Sequence, residues 1–101
     1  MNTRKKGRVQ ELKARDILEA AGYDVQLAPL PQKFSTQNDL WGLWDLCAVR
    51  KQDIRFIQVK SNRMPPPEYV ESLQLFECPS NCTKELWIFY DRVKEPRIIC
   101  L

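Results

Sequence analysis

Residues 7–21 are rich in helix formers, and Ala14, Ile17, Leu18 and Ala21 recur at helical spacing. This predicts an amphipathic helix that Gly22 stops. Glu11 lies seven residues before Leu18, so its carboxylate points almost the same way, at the edge of the apolar stripe. Residues 23–27 alternate as a short strand. Pro29 and Pro31 then break regular structure, and a polar loop follows over 32–38. Residues 43–50 and 54–60 predict two strands, with Lys51, Gln52 and Asp53 as a hairpin-length connection. Three prolines at 65–67 end the second of these strands. Proline suits the first turn of a helix, so a second helix is expected over 67–76, with Tyr69, Val70, Leu73 and Phe76 on its apolar side. Residues 85–91 and 97–101 predict two more strands, separated by 93–96. The nearly continuous apolar run over 86–90 marks a buried central strand. The order is α, three β, α, two β, which favours an α/β fold with a central mixed sheet flanked by helices.

The chain has 101 residues, enough for one domain with a small core. An apolar fraction of 44% with 29% charged residues is that of a globular protein. No apolar run approaches the roughly 20 residues that span a bilayer, and no apolar segment follows the basic start as in a signal peptide. Cys47, Cys78, Cys82 and Cys100 lack the paired short loops of a zinc ribbon, so free thiols in a reducing cytoplasm are expected. The net charge of +3 is uneven. Within residues 1–15, Arg4, Lys5, Lys6, Arg8, Lys13 and Arg15 face Glu11 alone. A basic arm of this kind suits a phosphate backbone, although a solvated terminus has the same composition. No histidine is present. Any catalysis must therefore use carboxylates, amides, lysine, cysteine or a bound metal.

Gln58 and Lys60 share one face of their predicted strand, and Ile57 and Val59 take the other, towards the core. Asp45 interrupts an otherwise apolar run in the preceding strand. A charge there is costly unless it is paired or binds a metal. The bland alternative is a cross-strand ion pair between Asp45 and Lys60, with Glu11 bonded to Arg15 one turn on and Gln58 at a sheet edge.

Asp45, Gln58-Val59-Lys60 thirteen residues later, and Glu11 on the preceding helix together resemble the PD-(D/E)XK nuclease superfamily. The likeness is to its small Holliday-junction-resolvase members. By motif it covers the chain from Lys6 to about Asn62, and by element order the rest. Trp44 stands where the family commonly has proline, and Gln58 where it commonly has glutamate. A neutral amide lowers metal affinity, but glutamine occurs at this position in active branches.

The resemblance implies a restriction-endonuclease-like α-βββ-α-ββ core filling residues 1–101. It also implies a metal-dependent endonuclease cutting DNA, branched DNA included, as a homodimer. Asp45 would be the principal Mg²⁺ ligand, with Mn²⁺ as a substitute. The Gln58 side-chain oxygen and the Val59 carbonyl would complete the protein ligands. Lys60 would orient the attacking water and stabilise charge on phosphorus, and Glu11 would hold a metal-bound water or a second cation. Arg4, Lys5, Lys6, Arg8, Ser61, Asn62 and Arg63 are candidate phosphate contacts. Asp39 and Ser35 precede Asp45 and either approach substrate or cap the loop. Trp41 and Trp44 either pack in the core or a dimer interface, the favoured reading, or stack on bases or wedge a junction. The same fold without cleavage, as a nucleic-acid-binding domain, is the alternative. The residues do not distinguish DNA from RNA.

Overall fold

A computed structural model describes residues 3–29 and 40–101, and for residues 3–6 the backbone alone. Its elements are α1 (Thr3–Ala20), β1 (Asp24–Leu27), β2 (Leu46–Arg50), β3 (Asp53–Ser61), α2 (Pro67–Leu75), β4 (Cys82–Phe89) and β5 (Arg97–Cys100). The strands form one mixed sheet in sequence order. β1, β2 and β3 are an antiparallel meander, β4 pairs parallel to β3, and β5 returns antiparallel to β4. The parallel pair requires a crossover, and α2 lies on it. The architecture is a mixed α/β fold with two helices. No helix among the described residues is long and apolar enough to cross a membrane.

α1 starts a turn earlier than its helix formers predict. Its buried line is Gln10, Ala14 and Leu18, spaced four residues apart. Ile17 and Ala21, expected on that stripe, are exposed. The helix ends in a paired cap: Tyr23 N–H donates to Leu18 O at 3.1 Å and Gly22 N–H to Glu19 O at 3.0 Å. That cap needs a left-handed residue, and Gly22 supplies it at φ 94°. Tyr23 then packs back beside Leu18 in the core.

Each sheet face has its own cluster. Ala14, Leu18, Tyr23, Leu46, Ala48, Ile57, Val59, Trp87 and Phe89 fill the α1 side. On the other side Trp44, Phe56 and Leu73 pack with Tyr69 and Phe76. The β3 side chains alternate as expected, with Ile57 and Val59 towards α1. The α2 end is tied down by the Lys84 ammonium, which donates to Phe76 O at 2.8 Å and to Gln74 O. A cation there suits the negative end of a helix.

One predicted strand begins late. Residues 43–45 do not belong to β2, because the chain turns sharply just before it. Leu43 and Trp44 both donate backbone N–H to Leu40 O at 3.0 Å, and Trp41 (φ 52°) and Gly42 (φ 70°) are left-handed. Asp45 therefore sits at the mouth of β2, not within it. At the other end Arg50 pairs with Asp53, so the β2–β3 turn is Lys51 and Gln52 alone.

Candidate active site

β2 and β3 separate at Asp45. Leu46 pairs with Ile57, and the Asp45 N–H still donates to Ile57 O at 2.9 Å. The next ladder bond is replaced by a side chain: Val59 N–H donates to Asp45 Oδ2 at 2.9 Å. Continuing the register places Asp45 opposite Gln58. In a strand a residue's N–H and C=O point to the same edge, so the Val59 carbonyl also faces this fork. Asp45 and Gln58 are 8% and 4% exposed.

Gln58 and Lys60 share the α2 face of β3. The Lys60 ammonium lies 4.7 Å from the centroid of the Tyr69 ring on α2. Gln58 Oε1 is buried and accepts no hydrogen bond. Two further buried polar atoms among the described residues lack partners, Arg8 Nε and Trp44 Nε1. Trp44 adjoins Asp45. Arg8 Nη2 donates to Ala28 O at 3.0 Å, and Ala28 N–H donates to Asp45 O at 2.8 Å. All three orphaned atoms thus belong to the Asp45 end of the sheet. Buried polar groups are normally satisfied, and each exception costs about 1–3 kcal/mol. Arg8 Nε and Trp44 Nε1 are N–H donors, so among the three only the Gln58 oxygen has the chemistry of a cation ligand.

Glu11 comes from α1, which packs on the sheet face opposite the one that carries Gln58 and Lys60, so the four expected site residues are not on one face. The Arg8 guanidinium pairs with Glu11 at 3.5 Å while bonding Ala28, and the next residue, Gln10, accepts the hydroxyl of Ser61 at the end of β3. Arg15 pairs with Asp16 and Glu19, and Glu11 with Arg8, in place of the Glu11–Arg15 pair that spacing allowed.

The candidate phosphate contacts divide. Arg8 is turned inward. The Ser61 hydroxyl is bonded to Gln10. Asn62 (φ 63°) makes a tight turn, donating N–H to Phe89 O and accepting Asp91 N–H at 2.8 Å. Arg63 is exposed. The backbone of Arg4, Lys5 and Lys6 is helical; their side chains, with Asp39 and Ser35, lie outside the described residues.

The thiols form no such centre. Cys47, Cys78 and Cys82 pack around the Trp44–Phe56–Leu73 cluster, and Cys100 is exposed on β5. Burial pushes the Cys47 thiol up, away from the thiolate a zinc site needs. Among the described residues no group of three His, Cys, Asp or Glu side chains is placed to hold a metal. The fork offers two acids at most, with an amide where a third would stand.

A second polar cluster, not legible from composition, occupies the α1 face away from the fork. Glu85 is 2% exposed. It accepts both Arg55 Nε and Nη2, at 2.7 and 2.6 Å, together with Thr83 Oγ1 at 2.6 Å and Trp87 Nε1 at 3.1 Å. Arg55 also lies over Tyr23, whose hydroxyl donates to Asp53 at 2.6 Å. No family model matches the chain, and no curated protein matches it.

Proposed function

We propose that the protein is a Mg²⁺-dependent endonuclease of the PD-(D/E)XK type. It hydrolyses phosphodiester bonds in DNA with a branched, Holliday-junction-like structure as substrate. The observation that carries this reading is the buried, partnerless oxygen of Gln58, opposite Asp45 at the β2–β3 fork. Both residues offer oxygen donors of the kind a hard divalent cation takes. The element order, and a meander joined by a helical crossover to a parallel strand, support the same family.

The donors fit a hard divalent ion, because all are oxygens. Asp45, Gln58 and the Val59 carbonyl would hold it, with Glu11 at the margin of the set. A bound ion supplies the Lewis acid that offsets charge developing on the phosphate. Lys60 orients the attacking water and stabilises negative charge on phosphorus. Arg63 supplies a cation at the rim for the flanking backbone. One domain carries one such site, so cutting both strands requires two copies, and the acting form is a homodimer.

Supercoiled plasmid, single-stranded DNA and a four-way junction, each incubated with Mg²⁺ or Mn²⁺, test the proposal. Wild type should cleave in a metal-dependent way, with the junction preferred, and Asp45→Asn should not. Binding without cleavage by wild type on all three substrates would instead mean a nucleic-acid-binding domain.

Gln58 makes a second prediction. Leucine there removes an unsatisfied acceptor without opening a cavity. Gln58→Leu should therefore unfold at equal or higher urea concentration, by up to about 1 kcal/mol, while losing metal-dependent cleavage. Gln58→Glu should lower the Mg²⁺ concentration for half-maximal rate, since it adds a charge to the ligand set. A Gln58→Leu protein that is both destabilised and fully active contradicts the assignment.

A further inference from the structure

Trp41 is the one aromatic side chain among the exposed large apolar residues described, at 66% exposure. The other two tryptophans, Trp44 and Trp87, are 0% and 1% exposed. Its backbone is equally unusual. Leu40, Trp41, Gly42 and Leu43 form a turn closed by Leu43 N–H to Leu40 O, with both central residues left-handed. The first central position of such a turn normally holds Asn, Asp or Gly, because a bulky side chain is strained there. Trp41 thus combines backbone strain with solvent exposure of an apolar ring. Strain of this kind collects at functional positions.

The ring is fixed, not loose. It meets Phe56 edge-on at 5.6 Å and Phe76 at 5.6 Å. Phe56 is the residue next to Gln58 on the same face of β3, about 7 Å along the strand. Trp41 therefore stands beside the proposed cleavage site. One tryptophan offers about 150–250 Å² in total, the scale of one stacked planar group. A single ring held against Phe56, on the face of β3 that carries Gln58 and Lys60, matches a planar group carried on a strand bound at that site.

We propose that Trp41 is a stacking platform for an unpaired nucleobase of the DNA strand held at the Asp45–Gln58–Lys60 site. The preferred branched substrate then exposes unpaired nucleotides at its branch point, beside the scissile phosphate. This deepens the nuclease reading and rests on it.

The test uses a fluorescein-labelled oligothymidylate of about 16 nucleotides, a duplex of equal length, and EDTA to prevent cleavage. Tryptophan emission should be quenched by the unlabelled single strand and much less by duplex. Because Trp44 and Trp87 are buried, Trp41→Phe should remove that quenching. Trp41→Ala should weaken binding of the single strand about tenfold, by anisotropy, with little effect on duplex. Trp41→Asn suits the turn and should unfold no earlier than wild type, yet bind the single strand as weakly as Trp41→Ala. Equal affinity of Trp41→Ala and wild type for the single strand would overturn the platform, while metal-dependent cleavage by the same wild-type protein would leave the nuclease reading standing. A concentration-dependent emission shift without DNA would also overturn it, by showing that a second copy covers the ring. Failure of wild type to bind or cleave any DNA overturns both.

Discussion

Lys60→Ala is expected to lower the rate of plasmid nicking about 10³-fold while leaving Mn²⁺ binding intact. The expectation comes from where the ammonium sits. It shares the α2 face of β3 with Gln58, and the Tyr69 ring holds it at 4.7 Å. A ring face fixes a cation without cancelling its charge, as a bonded carboxylate would. The full positive charge then remains available for an oxyanion that forms only during reaction. An interaction made only in the transition state should appear in kcat and not in KM. Loss of the contact with Tyr69 costs about 0.5–1 kcal/mol, too little to unfold the domain. Manganese paramagnetic resonance and single-turnover cleavage would be measured on the same preparations. Asp45→Asn should lose both metal binding and cleavage; Lys60→Ala should lose cleavage alone. Lys60→Ala turning over at the wild-type rate would remove lysine from the chemistry. Lysine would equally be excluded if metal binding and cleavage fell together.

Much of this geometry was readable along the chain, for an identifiable reason. Strand alternation has a period of two, so Gln58 and Lys60 had to share a face and Ile57 and Val59 had to oppose them. Both statements hold. The helix and strand order also follows from the pattern, because the prolines at 65–67 and the cap at Gly22 are local signals. What escaped was set by contacts between distant residues. Nothing in the apolar run over 43–49 marks where β2 begins, because that depends on a turn with tryptophan in a left-handed position. Periodicity could not separate Trp41 from Trp44, yet one is exposed and the other fully buried. Arg8 read as one more cation of a basic arm, whereas its guanidinium bridges α1 to the end of β1. The partnerless oxygen of Gln58 is likewise a fact of burial and not of sequence.

The two polar clusters of the sheet have opposite characters. At the fork the buried Gln58 oxygen accepts no hydrogen bond, which costs folding energy. Around Glu85 each carboxylate oxygen is hydrogen-bonded within the protein: Oε1 accepts Arg55 and Trp87, and Oε2 accepts Arg55 and Thr83. Substitutions at the first cluster should therefore change activity more than stability, and substitutions at the second the reverse.

Arg55→Met should destabilise the fold by about 3–4 kcal/mol, a large share of the total for a domain this size. It leaves Glu85 buried between β3 and β5 with only Thr83 and Trp87 as donors. The pH dependence gives the sharper test. Burial acts to raise the Glu85 carboxyl, but hydrogen bonds from Arg55, Thr83 and Trp87, with the charge of Arg55, outweigh it and hold the group below its ordinary value. A depressed carboxyl stabilises the fold above the unfolded value of about 4.3, and that contribution is lost as pH falls through the folded value. Wild type should therefore lose stability on acidification. With Arg55 gone, burial dominates and the folded state favours the protonated acid. The sign reverses: Arg55→Met should be closer to wild type at pH 4 than at pH 7. Removing both charges as Arg55→Met with Glu85→Leu should recover most of the loss at neutral pH, because no uncompensated buried charge is left. Urea unfolding of the two variants and wild type at both pH values measures all of this. Equal destabilisation by Arg55→Met at pH 4 and pH 7 would show that the ion pair contributes packing alone.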